Sequence, residues 1–322
     1  DSPRQRAAGI YGRLLRGTDQ EITTAWKLWR TMLFSATDRE IICALDVFQR
    51  LPTPMVKHGL RQFTRLPGVQ NRHDADNNLT DRPLPMLRNL CEHSNPQVRL
   101  RGLKTLPLLS VDEYREIIEN ALEDDHPDVR ATAAEFRFGA TRETHLEACQ
   151  WIIDSRVSPR AQESILRCII DKCHSQPLLQ SIVRTKSREA RRLLVAERQL
   201  SRKGTTGLEL VCLILKERQE QLIRLALLAL EHLEPSVTVA TIRAGLLSGD
   251  RSHRAHAAEA LRQISNRELG TLLGNLIDPR EATPAKVPLD TIRSTLHGCI
   301  ERADPWLQSA SLHALHRLPH HV

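Results

Sequence analysis

The feature that most constrains this chain is an internal repeat. Seven eight-residue stretches can be set under one another: Pro96–Leu103, Pro127–Ala134, Pro159–Leu166, Arg188–Val195, Gln221–Leu228, Arg251–Ala258 and Pro305–Leu312. Their fourth positions read Arg99, Arg130, Gln162, Arg191, Arg224, Arg254 and Gln308, at successive spacings of 31, 32, 29, 33, 30 and 54 residues. Self-similarity at a period of about 20–50 residues marks stacked arrays in which no single unit encloses a core. The long last step contains Asp278–Asp290, whose three prolines read as a surface loop inserted in the array.

Each unit follows one physical scheme. A polar turn runs into a helix start, often with Pro at the first helical position, where the missing N–H costs nothing. Small or apolar residues then recur at helical spacing, as in Val98, Gly102, Leu103 and Leu106, or Val129, Ala133, Ala134 and Phe136. A second apolar helix precedes each turn: Leu87–Cys91, Ile117–Leu122, Leu146–Ile153, Leu178–Val183, Leu208–Leu215, Ile242–Leu247 and Ile292–Ile300. The expected fold is all-α, a right-handed α-solenoid of stacked antiparallel helix pairs over residues 84–322. Residues 1–83 form an N-terminal helical segment with degenerate repeats, one of them starting at Asp38. Its expected helices are Gln5–Arg16, Asp19–Phe34, Asp38–Arg50 and Pro54–Leu66, with Thr18, Thr37 and Thr53 as caps. The polar stretch 68–83 reads as a flexible loop.

Asp125-His126-Pro127-Asp128-Val129-Arg130, with the small-residue helix that follows, resembles a HEAT repeat. The resemblance implies a ladder in which turn aspartates and the following arginines bond along the stack. Its candidates are Arg99, Arg130, Arg191, Arg224 and Arg254, with Gln162 and Gln308 as departures. Over roughly residues 208–318, the stretches Ile242–Asp250, Arg254–Leu261 and Ala303–Ala314 are similar to the soluble HEAT segment of certain bacterial membrane proteins. In those proteins a transporter domain similar to ATP/ADP translocases precedes the repeats. His256, Arg262 and Gln263 depart from that pattern. The resemblance implies the cytoplasmic part of a larger protein, at the membrane face and membrane-associated only through a linked domain. A chain beginning at Asp1 rather than Met fits an excised segment.

Charge is unevenly spread. The chain carries +7 overall, and its 46 basic residues include only eight lysines. From Arg184 to Lys203 there are eight basic residues against Glu189 and Glu197, a net of +6. At about 100° per residue, Arg188, Arg191, Arg198 and Arg202 fall in one stripe of a helix. With Arg184, Arg192 and Lys203 they make the candidate binding surface, suited to phosphates, anionic headgroups or an acidic protein face. Asp112–Asp128 is its opposite, eight acidic residues against Arg115 alone.

Other chemistries find little support. Aromatics make up 3% of the chain, too few for a platform on which nucleic-acid bases stack. The acidic block likewise disfavours a nucleic-acid grip along the whole array. DNA-alkylation-repair glycosylases use HEAT-like arrays and are the enzyme alternative. They need a clustered aromatic and carboxylate site, whereas Trp26, Trp29, Trp151 and Trp306 are dispersed. Cys168 and Cys173 lie about 140° apart on a helix, so the Cys168, Cys173, His174 group does not converge on a metal. His313, His316, His320 and His321 read as an exposed tail, and Lys203–Gly207 lacks the P-loop pattern. No catalytic residue, metal site or cofactor is expected. Seven scattered cysteines point to a reducing compartment. The longest apolar stretch, Leu222–Leu233, is interrupted by Arg224, Glu231 and His232 and is too polar to span a bilayer. The expected function is therefore a non-catalytic protein-binding scaffold or regulatory module.

Overall fold

The computed structural model describes residues 2–56, 84–106, 114–170, 172, 175–201, 207–234, 242–243, 251–277, 287–301 and 304–318. Among these residues the regular structure is helical and no strand occurs. The loop expected at 68–83, most of Pro54–Leu66 and residues 278–286 of the inserted stretch lie outside the described residues. The chain divides into two compact units, Asp1–Thr141 and Arg142–Val322.

The first unit contains α1 (Pro3–Arg16), α2 (Asp19–Leu33), α3 (Asp38–Arg50), α4 (Leu84–Cys91), α5 (Pro96–Thr105), α6 (Arg115–Ala121) and α7 (Pro127–Phe138). Helices α1 to α3 pack on one another around Trp29, whose ring stacks on Phe48 at 4.8 Å. The Trp29 indole N–H donates to the Ala44 carbonyl at 2.7 Å, so the buried ring leaves no unpaired donor. α3 continues onto α5. The pairs α4/α5 and α6/α7 then stack like on like, α4 against α6 and α5 against α7.

Helix starts follow the repeat chemistry. Asn95, His126, Ser158 and Asp304 each place a side-chain acceptor on a backbone N–H of the first turn, with Pro96, Pro127, Pro159 and Pro305 next in sequence. At Thr18 the N–H and hydroxyl both donate to Glu21 Oε2, at 2.8 and 3.0 Å.

One bond of the expected ladder joins successive pairs, from Arg99 to Asp124, while Arg130 and Gln162 each hold their own turn. Arg99 Nε and Nη2 donate to the two carboxylate oxygens of Asp124 at 2.6 and 2.7 Å, reaching the turn of the following pair. Its Nη1 donates to the carbonyls of His93 and Ser94. Arg130 Nη1 likewise holds the carbonyls of Asp124 and Asp125, at 2.6 and 2.9 Å. Gln162 Nε2 reaches the Val157 carbonyl at 2.7 Å. Ser94, Asp125 and Val157 each precede their donor by five residues, so glutamine keeps the grip on its own turn that arginine provides.

The second unit departs from the expected spacing. It contains α8 (Arg142–Ile153), α9 (Pro159–Ile169), α10 (Gln176–Leu200), α11 (Leu208–Leu233), α12 (Arg251–Arg262), α13 (Arg267–Ile277), α14 (Leu289–Ile300) and α15 (Pro305–Arg317). Helix starts were expected at Arg188 and Gln221, yet α10 and α11 run through both positions as helices of 25 and 26 residues. The reason lies in the linking residues. Arg184–Ser187 and Lys216–Glu220 contain no Gly or Pro, and Lys216-Glu217-Arg218-Gln219-Glu220 is made wholly of strong helix formers. Arg191 and Arg224 consequently sit in helix interiors and not just after a turn, and Arg224 pairs with exposed Glu220 at 3.7 Å. Arg254, near the start of α12, is exposed.

The long α10/α11 pair is the trunk of this unit. α8 packs on α10 and α9 on α11, while α14 packs on α10 and α15 on α11. Arg218 Nε donates to the Asp304 carboxylate at 2.8 Å, and the Thr295 hydroxyl to Gln199 at 2.9 Å. α13 packs on α10 as well, where Arg184 donates to both oxygens of Glu268 at 3.1 and 2.9 Å. α12 and α13 cross at glycines. A Cβ on Gly270 would lie 2.0 Å from the Leu261 carbonyl oxygen, and one on Gly274 2.8 Å from that of Ala258.

Candidate functional site

The basic segment lies on α10, and the helix sorts its cations. Arg188, Arg191 and Arg192 are exposed together with Val195, and Arg198 is half-buried. Arg184 is committed to Glu268, whose carboxyl is held below the usual glutamate range by hydrogen bonds from Arg184 and the nearby positive charge. Arg202 and Lys203 lie outside the described residues. Lys186, one of the eight basic residues of the segment but not of the candidate surface, is 0% exposed. It falls in register with buried Ile182, Val183 and Ala190, the inward face of a helix that continues where a turn was expected.

A buried ammonium needs partners. Lys186 Nζ donates to the Ser155 hydroxyl at 2.6 Å and lies 3.3 Å from Glu189 Oε2. Burial pushes Lys186 below the usual lysine range, against the opposing pull of Glu189 and Asp154.

Ser155 reaches Lys186 from an unusual backbone. It has φ 53° and lies two residues past the end of α8, where the Ser155 N–H donates to the Ile152 carbonyl and the Arg156 N–H to that of Trp151. This left-handed C-terminal cap is a position that Gly ordinarily fills. Serine there carries a conformational cost of about 1 kcal/mol and supplies the hydroxyl that meets Lys186.

A cleft of about 590 Å³ opens where the ends of α8 and α14 approach α10. Ser155 lines it from the α8 side, Thr185, Arg188, Glu189 and Arg192 from α10, and Gly298 and Glu301 from the α14 side. Gly298 has nothing within 4 Å of the place a Cβ would occupy, so that wall is open backbone. A shallower depression of about 410 Å³ adjoins it along α10, formed by Arg188, Arg191, Arg192 and Val195. The repeat pattern pointed to the arginines. It missed Ser155, Thr185, Gly298 and Glu301, because their convergence depends on two helix pairs meeting one trunk helix.

Elsewhere the described residues form no group of three or more metal-ligating side chains, and no described helix is long and apolar enough to cross a membrane. Cys173, His174, His320 and His321 lie outside the described residues. Trp26 and Trp29 pack edge to face in the core of the first unit, and Trp306 is 76% exposed on α15. None of the four tryptophans lines the cleft. No protein-family model matches the chain, and no characterised protein matches it in sequence.

Proposed function

We propose that the chain is a non-catalytic, HEAT-like scaffold that binds a protein partner through the exposed arginine face of α10. The observation that carries this reading is the placement of Arg188, Arg191 and Arg192, exposed on a long helix packed against α8, α11, α13 and α14. A rigid helix displaying cations lowers the ordering cost of binding an anionic surface. The HEAT-like arrangement is supported by like-on-like stacking of α4/α5 on α6/α7, and by the Arg99–Asp124 bond between successive pairs.

The test is exchange of Arg188, Arg191 and Arg192 for glutamine in the full chain. Capture of partner protein should fall while the melting temperature holds, since exposed substitutions shift stability by only about 0.5 kcal/mol. Loss of folding would make the face structural. Duplex-DNA binding that weakens steeply with salt would favour the DNA-binding alternative, and release of an alkylated base would establish glycosylase activity.

A further inference from the structure

We infer that the cleft between α10 and the ends of α8 and α14 receives an acidic side chain of an extended protein segment, its carboxylate held by Arg188 and Arg192. This deepens the scaffold reading and rests on it. Both arginines line the cleft and are exposed. Beside them the buried Lys186 ammonium lies 3.3 Å from Glu189 Oε2 and offsets that carboxylate's charge. Planar guanidinium groups recognise carboxylates through paired, charge-assisted hydrogen bonds.

The same cleft selects against a nucleic-acid backbone. Glu189 and Glu301 line it too, so a chain with a phosphate at every step and no N–H donors along its backbone must run past both, whereas a single acidic side chain need meet only the two arginines. A peptide carries backbone N–H groups that both carboxylates can accept. No aromatic ring lines the cleft, so bases would find no stacking partner. Gly298 lets a main chain approach the α14 wall closely. The adjoining depression, walled by arginine methylenes and Val195, suits an apolar side chain near the acidic one in the bound segment.

The experiment uses the full chain and a fluorescent, end-blocked peptide of alternating glutamate and leucine. Its glutamine counterpart and a short DNA duplex serve as competitors. The glutamate peptide should bind at least about tenfold more tightly than the glutamine peptide. Arg188→Gln with Arg192→Gln should abolish that difference. Gly298→Leu, which fills the cleft and changes no charge, should weaken the glutamate peptide by a similar factor. Thermal unfolding of Gly298→Leu beside the wild type controls for folding. Equal binding of both peptides, binding untouched by Gly298→Leu, no binding of the glutamate peptide, or tighter binding of the duplex would each overturn the inference. Partner capture that depends on the arginines but ignores Gly298→Leu would leave the scaffold reading standing and the cleft assignment wrong.

Discussion

The Lys186 ammonium lies 2.6 Å from the Ser155 hydroxyl, joining the interior of α10 to the left-handed cap of α8. Two opposed effects meet at Ser155, and two variants separate them. Ser155→Gly relieves the left-handed backbone by about 1 kcal/mol but removes a hydrogen bond to a charged donor worth about 1.5–3 kcal/mol. Ser155→Ala loses the bond and keeps the strain. Denaturant unfolding should rank the wild type above Ser155→Gly, and Ser155→Gly above Ser155→Ala by about 1 kcal/mol. Equal stability of the two variants would mean the cap is not left-handed.

The Arg99–Asp124 pair predicts an acid response. Burial raises the Asp124 pKa, but hydrogen bonds from Arg99 and the His126 N–H more than offset it, leaving Asp124 below its ordinary 3.8. A carboxylate depressed in the folded state contributes stability above its unfolded value and loses it as pH falls through the folded one. Asp124→Asn should cost about 2–3 kcal/mol near neutral pH, as expected for a largely buried pair. That gap should hold down to about pH 4 and narrow below it. Stability curves against pH for the two proteins check this, and a gap that widened in acid would have the wrong sign.

Two helical glycines should respond oppositely to one added methyl. Gly270→Ala places a Cβ against the Leu261 carbonyl and should destabilise by about 1–3 kcal/mol through overpacking. Gly298→Ala enters open space on α14 and should stabilise by about 0.5–1 kcal/mol through helix propensity. Thermal unfolding of both variants tests the close approach of α12 and α13.

Proline scanning checks the continuity of the trunk. Pro96, Pro127, Pro159 and Pro305 occupy the first helical position of their pairs, which Arg188 and Gln221 occupy in the alignment. If α10 and α11 began there, Arg188→Pro and Gln221→Pro would be tolerated. Inside continuous helices each should cost about 3 kcal/mol or more. Circular dichroism and denaturant midpoints distinguish the two.

Helical content and most helix starts were legible because each rests on local chemistry: an Asn, Ser, His or Asp acceptor, a following Pro, and apolar residues at helical spacing. The repeat period was misleading at Arg188 and Gln221. There the small-residue pattern persists but the Gly or Pro that breaks a helix is missing, and propensity carries the helix through. That continuation also hid Lys186, which belongs to the apolar stripe of α10 and not to a surface turn. Arg188, Arg191 and Arg192 could be read as a surface cluster from charge alone. The cleft beside them could not, since Ser155 and Glu301 are separated by well over a hundred residues and meet only through tertiary packing.

Fusing two helix pairs into α10/α11 also has a mechanical consequence. A stack of short pairs behaves as a spring, because each junction between units can rotate slightly. The trunk has no junction at Arg188 or Gln221, and partners grip α10 near Arg184 and again near Gln199. Over its length of roughly 37 Å, by the usual rise per residue, α10 is a stiff beam with its cations bolted to the middle. Arg188, Arg191 and Arg192 therefore share one uninterrupted helix, whose regular rise and turn set the spacing between their positions.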